Sequence, residues 1–225
     1  MSRDAAAILG AIATLMATHL GLHALRGVAA GRQAGLTWLC GLAASGKSHL
    51  LQAVCAESAA TRTAAYLPLQ QLKSMGAESL AGWQASSCLC VDDVDAVIGD
   101  MDWERGLFGL HRDAEERGAA LLVSASTSPQ HLNFGLPDLA SRCAAGAILT
   151  LTPLNEDQQR EALQLRAHLR GLELPEETAL YLQRRMPRDM ETLYGLLDTL
   201  DAAALQAQRR LTVPFIRAVL ADRPA

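Results

Sequence analysis

Short apolar runs alternate with helical stretches through the middle of the chain. The runs with the length and composition of buried strands lie at 36–40, 63–68, 87–91, 120–125 and 147–151. The stretches with a helical pattern lie between them, at 48–59, 77–83, 102–117 and 138–142. Gly118 follows the third stretch at a position typical of a helix C-cap. This alternation predicts an α/β fold with a parallel five-stranded sheet.

A purely helical region follows the last predicted strand. Beyond Pro153 the pattern contains no further strand, and helical stretches lie near 155–169, 175–186 and 188–207 and after Pro214. The sequence therefore predicts three parts. They are an N-terminal helical segment at 1–35, an α/β nucleotide-binding subdomain at 36–152 and an all-α subdomain at 153–225.

The N-terminal segment carries an uncharged stretch from Ala5 to Leu25. Its length suffices to cross a bilayer. However, Thr14, His19 and His23 lie within it, and its large apolar residues recur at helical spacing. We favour a helix packed on the α/β subdomain, with no membrane partner. A membrane or signal segment, and a poorly ordered or wrongly started N-terminus, are the alternatives left open.

The cysteine count and the net charge indicate the cellular compartment and argue against broad contact with nucleic acid. The five cysteines are odd in number and show no paired spacing, which indicates a reducing compartment and predicts a cytoplasmic protein. Cys88 and Cys90 share one face of a predicted strand, but a metal site needs two further ligands, and none lies nearby in the sequence. Both are predicted to be buried apolar residues. The net charge of −4 argues against broad contact with a nucleic-acid backbone.

The segment GLAASGKS, at 41–48, fits the phosphate-binding pattern G-x-x-x-x-G-K-[ST] at every fixed position. A predicted strand precedes it and a predicted helix follows, as the motif requires. Gly41 and Gly46 let backbone N–H groups converge on phosphate oxygens. Lys47 is predicted to reach the β- and γ-phosphates, and Ser48 to ligate Mg²⁺. The residues assigned to nucleotide binding here are Gly41, Ala43, Ala44, Ser45, Gly46, Lys47, Ser48 and His49.

Two acids, Asp92 and Asp93, end the apolar strand at 87–91 in the form of a Walker B motif. The carboxyl ends of parallel strands meet at one edge of a sheet, so these acids are predicted to lie beside the phosphate loop. Asp92 is placed to hold Mg²⁺, directly or through water. Asp93 is placed to orient or deprotonate an attacking water.

Two further candidates follow later strands. Ser126 ends the strand at 120–125, where a polar side chain senses the γ-phosphate in nucleotide-hydrolysing α/β domains; a plain strand-end turn is the alternative. Arg142 ends a short helix before the last strand. An arginine there can project toward the nucleotide of a neighbouring subunit. A surface arginine or a local ion pair is the alternative.

These features, in this order, resemble the AAA+ ATPases, with the helical region as their lid. The segment GKSHLL at 46–51 is similar to the loop of the replication initiator DnaA. The segments GLPDLASR at 135–142 and AQRRLTVPF at 207–215 resemble the Hda family of DnaA-related regulatory inactivators more closely. The resemblance covers roughly residues 22–221.

The resemblance implies a role in replication control. Hda proteins bind ADP, dock on the DNA sliding clamp and make ATP-bound DnaA hydrolyse its nucleotide. It implies ADP or ATP with Mg²⁺ as ligands, DnaA and the clamp as partners, and Arg142 as an arginine finger acting in trans. It also implies no sequence-specific DNA binding, because the sequence does not continue into the origin-binding domain of DnaA. Homo-oligomerisation is left open.

Three departures from the family pattern bear on these expectations. The clamp-binding segment of the family is not found in residues 1–30. Ser126 stands where relatives usually carry aspartate, and Glu191 stands where a lid arginine senses nucleotide; Arg188, one turn earlier, is the predicted substitute. Weak or absent ATPase activity of its own is therefore expected. A DnaA-like adaptor or loader, and a self-contained ATPase, are the competing hypotheses.

Overall fold

Five parallel strands form the sheet of the N-terminal unit. They are β1 Gly35–Cys40, β2 Ala64–Pro68, β3 Cys88–Asp92, β4 Ala120–Ala125 and β5 Ala147–Thr150, in the order β2-β3-β4-β1-β5. Each strand matches its predicted range to within one residue at either end, so the predicted α/β fold is confirmed. The topology places β1 between β4 and β5, so the loop after β1 leaves from the interior of the sheet.

The structure is a computed structural model, and it describes residues 19–43, 45–152, 155–168, 171–185, 190–207 and 211–221. Two compact units are present, Met1–Pro153 and Leu154–Ala225. Within the described residues, none of the helices combines the length and apolar character needed to cross a bilayer. Most of the uncharged stretch from Ala5 to Leu25 lies outside these residues.

Helices cover both faces of the sheet. They are α1 His19–Ala29, α2 Lys47–Ala59, α3 Leu69–Leu72, α4 Met101–Arg117 and α5 Pro137–Ala145. The prediction of a helix at 77–83 is wrong: the segment forms a single 3₁₀ turn at Ala77–Leu80. Gly76 and Gly82 bound it with φ near +86° and +95°, and so short a stretch cannot offset the cost of helix nucleation.

Alternation along the strands divides the core into two layers. Leu39 and Leu122 pack with α1 and α2, whereas Trp38 and Leu121 face the side of α4 and α5. Cys88 and Cys90 are fully buried on the α2 side, as predicted for small apolar residues. No group of three or more His, Cys, Asp and Glu side chains that could hold a metal ion exists among the residues the structure describes.

The described residues of the C-terminal unit form helices joined by short loops, with no strand among them. Its helices are α6 Glu156–His168, α7 Glu176–Arg185, α8 Met190–Ala207 and α9 Val213–Ala221. Leu163, Leu182 and Ile216 are buried among them. The hydroxyl of Thr178 donates to the Leu211 carbonyl at 3.2 Å, which ties α7 to the segment that leads into α9.

Glu104 is a fully buried carboxylate on the first turn of α4. It accepts hydrogen bonds from the backbone N–H groups of Gly99 at 2.7 Å, Gly135 at 3.0 Å and Leu136 at 2.6 Å. A buried charge is tolerated only with such partners. The carboxylate therefore fixes the start of α5, the helix that carries Arg142.

We expect Glu104→Gln to lower the free energy of unfolding by about 2–3 kcal/mol, because charge-assisted bonds to buried N–H groups are weakened or lost. Urea unfolding followed by circular dichroism measures this change. Glu116→Gln is the matched control, since Glu116 is an exposed acid of the same helix that pairs only at 3.8 Å with Arg112. Equal stability of the two variants would contradict the role given to Glu104.

Candidate nucleotide-binding site

The loop after β1 is shaped by its two motif glycines. The N–H of Gly41 donates to the Ala125 carbonyl at 3.3 Å, which ties the loop to β4. A Cβ at Gly41 would lie 2.7 Å from the Ser45 Oγ, closer than Cβ atoms approach other atoms, and 3.0 Å from the Leu151 carbonyl, which is also a tight contact. Gly46 adopts φ +86°, a left-handed conformation that favours glycine. The motif therefore demands glycine at both ends for steric reasons.

Lys47 opens α2 and turns back into the loop. Its Nζ donates to the carbonyls of Gly41 at 2.8 Å and Leu42 at 3.0 Å, and the residue is only 8% exposed. The Oγ of Ser45 is buried beside it and has no hydrogen-bond partner. A buried ammonium and a buried orphan hydroxyl are groups that phosphate oxygens would satisfy.

The remaining loop residues are placed around these two. Ser48 and His49 are half-buried on the first turn of α2, and Ala43 is exposed. Ala44 lies outside the described residues. Gly46 precedes α2 without a side chain to cap its first N–H groups, so these groups and the helix dipole suit an anion.

Asp92 is almost fully buried at the end of β3. Its Oδ2 accepts a 2.6 Å hydrogen bond from the Tyr66 hydroxyl, and its Oδ1 accepts a short hydrogen bond from the Ser124 hydroxyl. Burial and the bond to Asp92 raise the pKa of Tyr66 far above its usual range. The phenol is therefore a permanent donor to the carboxylate.

Asp93 follows with φ +54°, a left-handed conformation rare outside glycine. Its N–H donates to the Ser124 Oγ at 3.0 Å. Burial raises the pKa of the Asp93 carboxyl, the charges of Asp92 and Asp95 raise it further, and the charge of Lys47 opposes them. The two acids and the phosphate loop thus lie at one edge of the sheet, as the sequence predicts.

The polar residue in contact with the acids is Ser124, which the sequence analysis missed. The predicted strand-end residue, Ser126, is exposed, and its backbone N–H donates to the Asp95 Oδ2 at 2.9 Å. In the parallel ladder Val91 pairs with Val123, so Asp92 lies level with Ser124. A hydroxyl inside an otherwise apolar strand was the available signal.

Arg142 lies in the last turn of α5, far from the loop of its own chain. Its Nη1 pairs with the Glu115 Oε2 at 2.5 Å, and its guanidinium lies 5.2 Å from the centre of the Phe108 ring. It lines a cavity of about 210 Å³ together with Gly35 and Leu36, the first residues of β1. The phosphate loop leaves from the other end of β1, roughly 17 Å away at the usual rise per residue.

Within the N-terminal unit, the residues present fit a bound nucleotide and its metal. Lys47, Ser45 and the first turn of α2 would hold phosphates, and Ser48 with Asp92 would hold Mg²⁺, which neutralises phosphate charge when bound. The two predictions about the lid are not addressed by the structure. Arg188 lies outside the described residues, as does the side chain of Glu191.

Comparison with known proteins shows a likeness to one family over the helical region and to solved structures over most of the chain. Residues 156–220 match the family described as Hda, lid domain. Domain III of the Thermotoga maritima replication initiation protein DnaA has a similar structure, with a TM-score of 0.74 and 21% identity over 90% of each chain. The chain therefore shares the AAA+ fold of DnaA domain III, and its residues 156–220 are similar to the Hda lid domain.

Two further structures support the AAA+ fold. The AMPPCP-bound DnaA of Aquifex aeolicus gives a TM-score of 0.68 at 18% identity, over 83% of this chain and 62% of that one. The RuvB Holliday junction branch migration motor of Thermotoga maritima gives 0.62 at 15% identity, over 91% and 69%. The chain thus spans less than two thirds of that Aquifex DnaA. The residues that match the Hda lid domain, 156–220, fall within the C-terminal unit, Leu154–Ala225.

Proposed function

We propose that the chain binds ADP or ATP, with Mg²⁺, at the phosphate loop. The observation that supports this is the buried Lys47 ammonium facing the loop beside the unpaired Ser45 Oγ. The acids at the end of β3 complete the site: Asp92 serves the metal through its carboxylate, and Asp93 serves as the group that contacts water. Nucleotide binding by the related AMPPCP-bound DnaA is consistent with this role.

The proposed activity is the stimulation of ATP hydrolysis on DnaA, together with the DNA sliding clamp, in the cytoplasm. The position of Arg142 carries this proposal. Its guanidinium is partly exposed beside Glu115, at the edge of the sheet opposite its own phosphate loop, so a nucleotide that it contacts would belong to another subunit. An arginine supplied in this way stabilises the charge that develops on the transferred phosphoryl group.

Weak hydrolysis by the chain itself follows from the same proposal. Ser126 is exposed, and its backbone N–H donates to Asp95; the family resemblance places Glu191 where a cationic lid residue is expected. A carboxylate facing the triphosphate would repel it by about 1–4 kcal/mol at effective dielectric constants of about 20–80. We expect turnover of ATP by the isolated chain below about 1 per second.

One assay separates the candidate functions. ATP turnover is measured with Mg²⁺ for the chain alone, for DnaA alone, and for both with clamp loaded on DNA. Hydrolysis that rises only when all components are present supports the stimulator. Rapid turnover by the chain alone would establish a self-contained ATPase. Binding to DnaA or to the clamp without any rise in hydrolysis would leave an adaptor or loader as the function.

A further inference from the structure

Three neighbouring strands bring a row of hydroxyl and carboxyl groups to the α2 face of the sheet. Tyr66 comes from β2, Asp92 from β3 and Ser124 from β4. The amide of Gln52, one turn after Ser48 on α2, donates to the Tyr66 hydroxyl at 3.3 Å. The phenol oxygen is thus fixed between the acid and the helix that carries the predicted Mg²⁺ ligand Ser48.

Both oxygens of the Asp92 carboxylate are engaged by neutral donors. The Tyr66 hydroxyl bonds Oδ2 at 2.6 Å and the Ser124 hydroxyl bonds Oδ1. Such bonds weaken the negative electrostatic potential around a buried carboxylate without adding a formal positive charge. A carboxylate that accepts hydrogen bonds from two hydroxyls is stabilised less by a nearby cation than a carboxylate without such donors.

We propose that Tyr66 is a positioning residue of the nucleotide site that satisfies Asp92 and makes nucleoside diphosphate binding less dependent on Mg²⁺. The proposal rests on the nucleotide-binding role given above and adds a property of that site. Loss of the phenolic hydroxyl leaves Oδ2 buried and without its donor. The carboxylate charge, no longer offset by that donor, then repels the phosphates when no metal is present, and binding depends more strongly on Mg²⁺.

The test compares the dissociation constant of ADP in excess Mg²⁺ with that in EDTA, by calorimetry, for the full chain and for Tyr66→Phe. We expect the ratio of the EDTA value to the Mg²⁺ value to rise by about fivefold or more in the variant, mainly because binding in EDTA weakens. A ratio that changes by less than about twofold, or that falls, overturns the proposal.

A second variant and a control make the result specific. Ser124→Ala removes the donor to the other carboxylate oxygen and should shift the ratio in the same direction; it decides the question if Tyr66→Phe does not fold. Tyr181→Phe removes a hydroxyl from a tyrosine of the C-terminal unit that lies under Arg217, and should leave the ratio unchanged. If the unaltered chain binds no ADP in either condition, the nucleotide-binding proposal fails rather than this inference.

Discussion

Lys47→Ala is expected to weaken ADP binding by about 100-fold. The ammonium is the cation that the loop encloses, and two charge-assisted hydrogen bonds to phosphate contribute about 3 kcal/mol together. The lysine is 8% exposed and is held by the carbonyls of Gly41 and Leu42, so it is already positioned inside the cradle. No other basic side chain of the described loop, 41–43 and 45–48, replaces it.

The measurement is the ADP-dependent rise in thermal stability. A ligand at 100 times its dissociation constant stabilises the folded form by about 2.7 kcal/mol, and the variant should show almost none of this. Lys47→Ala also removes the lysine's hydrogen bonds to the Gly41 and Leu42 carbonyls, and of these Leu42 keeps the Ser45 N–H as a donor, so the nucleotide-free variants must be compared first. Lys73→Ala is the matched control, because Lys73 is the other lysine of the chain and bonds the Ala96 carbonyl at the surface. Equal ADP stabilisation of the Lys47 variant would refute the phosphate-loop assignment.

The elements that the sequence predicted well are those whose signals are local. A parallel strand buried on both faces is a continuous apolar run, so the runs at 87–91 and 120–125 marked β3 and β4 with little ambiguity. The phosphate-loop motif spans eight residues, and its two glycines are required by local geometry: a side chain at Gly41 would clash, and Gly46 has a positive φ. The motif can therefore be recognised from spacing alone. The position of Asp92 and Asp93 beside the loop could be predicted because they stand at the carboxyl end of β3.

The groups that the sequence did not predict depend on contacts between distant segments. Tyr66 reaches Asp92 only because β2 and β3 are neighbours in the sheet, which no spacing in the sequence reveals. In the sequence, Glu104 looks like an ordinary acidic residue in the first turn of a helix. Its carboxylate nevertheless accepts hydrogen bonds from the N–H groups of Gly99, before α4, and Gly135, before α5. Glu115 meets Arg142 through the packing of α4 on α5. Each of these contacts depends on strand register or helix packing, which becomes known only with the three-dimensional structure.

Arg142 forms an ion pair with Glu115 at the protein surface, so the arginine can be replaced without disturbing the fold. The side chains of Arg142 and Glu115 are 37% and 62% exposed, so their pair contributes about 0–1 kcal/mol to stability. Removing the arginine leaves Glu115 in contact with solvent rather than buried without a partner. Arg142→Ala should therefore fold normally and bind ADP as the unaltered chain does. Any loss of function in trans can then be assigned to the guanidinium.

Arg142→Ala should lose most of the stimulation of DnaA-bound ATP hydrolysis. An arginine finger contributes about 10³–10⁵ in rate, or roughly 4–7 kcal/mol of barrier, because its planar donors stabilise charge on the transferred phosphoryl group. Arg142→Lys should rescue poorly, since an ammonium lacks that fork. Single-turnover hydrolysis by ATP–DnaA, with clamp loaded on DNA, measures each variant. Arg160→Ala, which removes an arginine of the C-terminal unit paired with Asp157, is the control for loss of a cation. Undiminished stimulation by Arg142→Ala would eliminate the finger assignment and favour a passive adaptor.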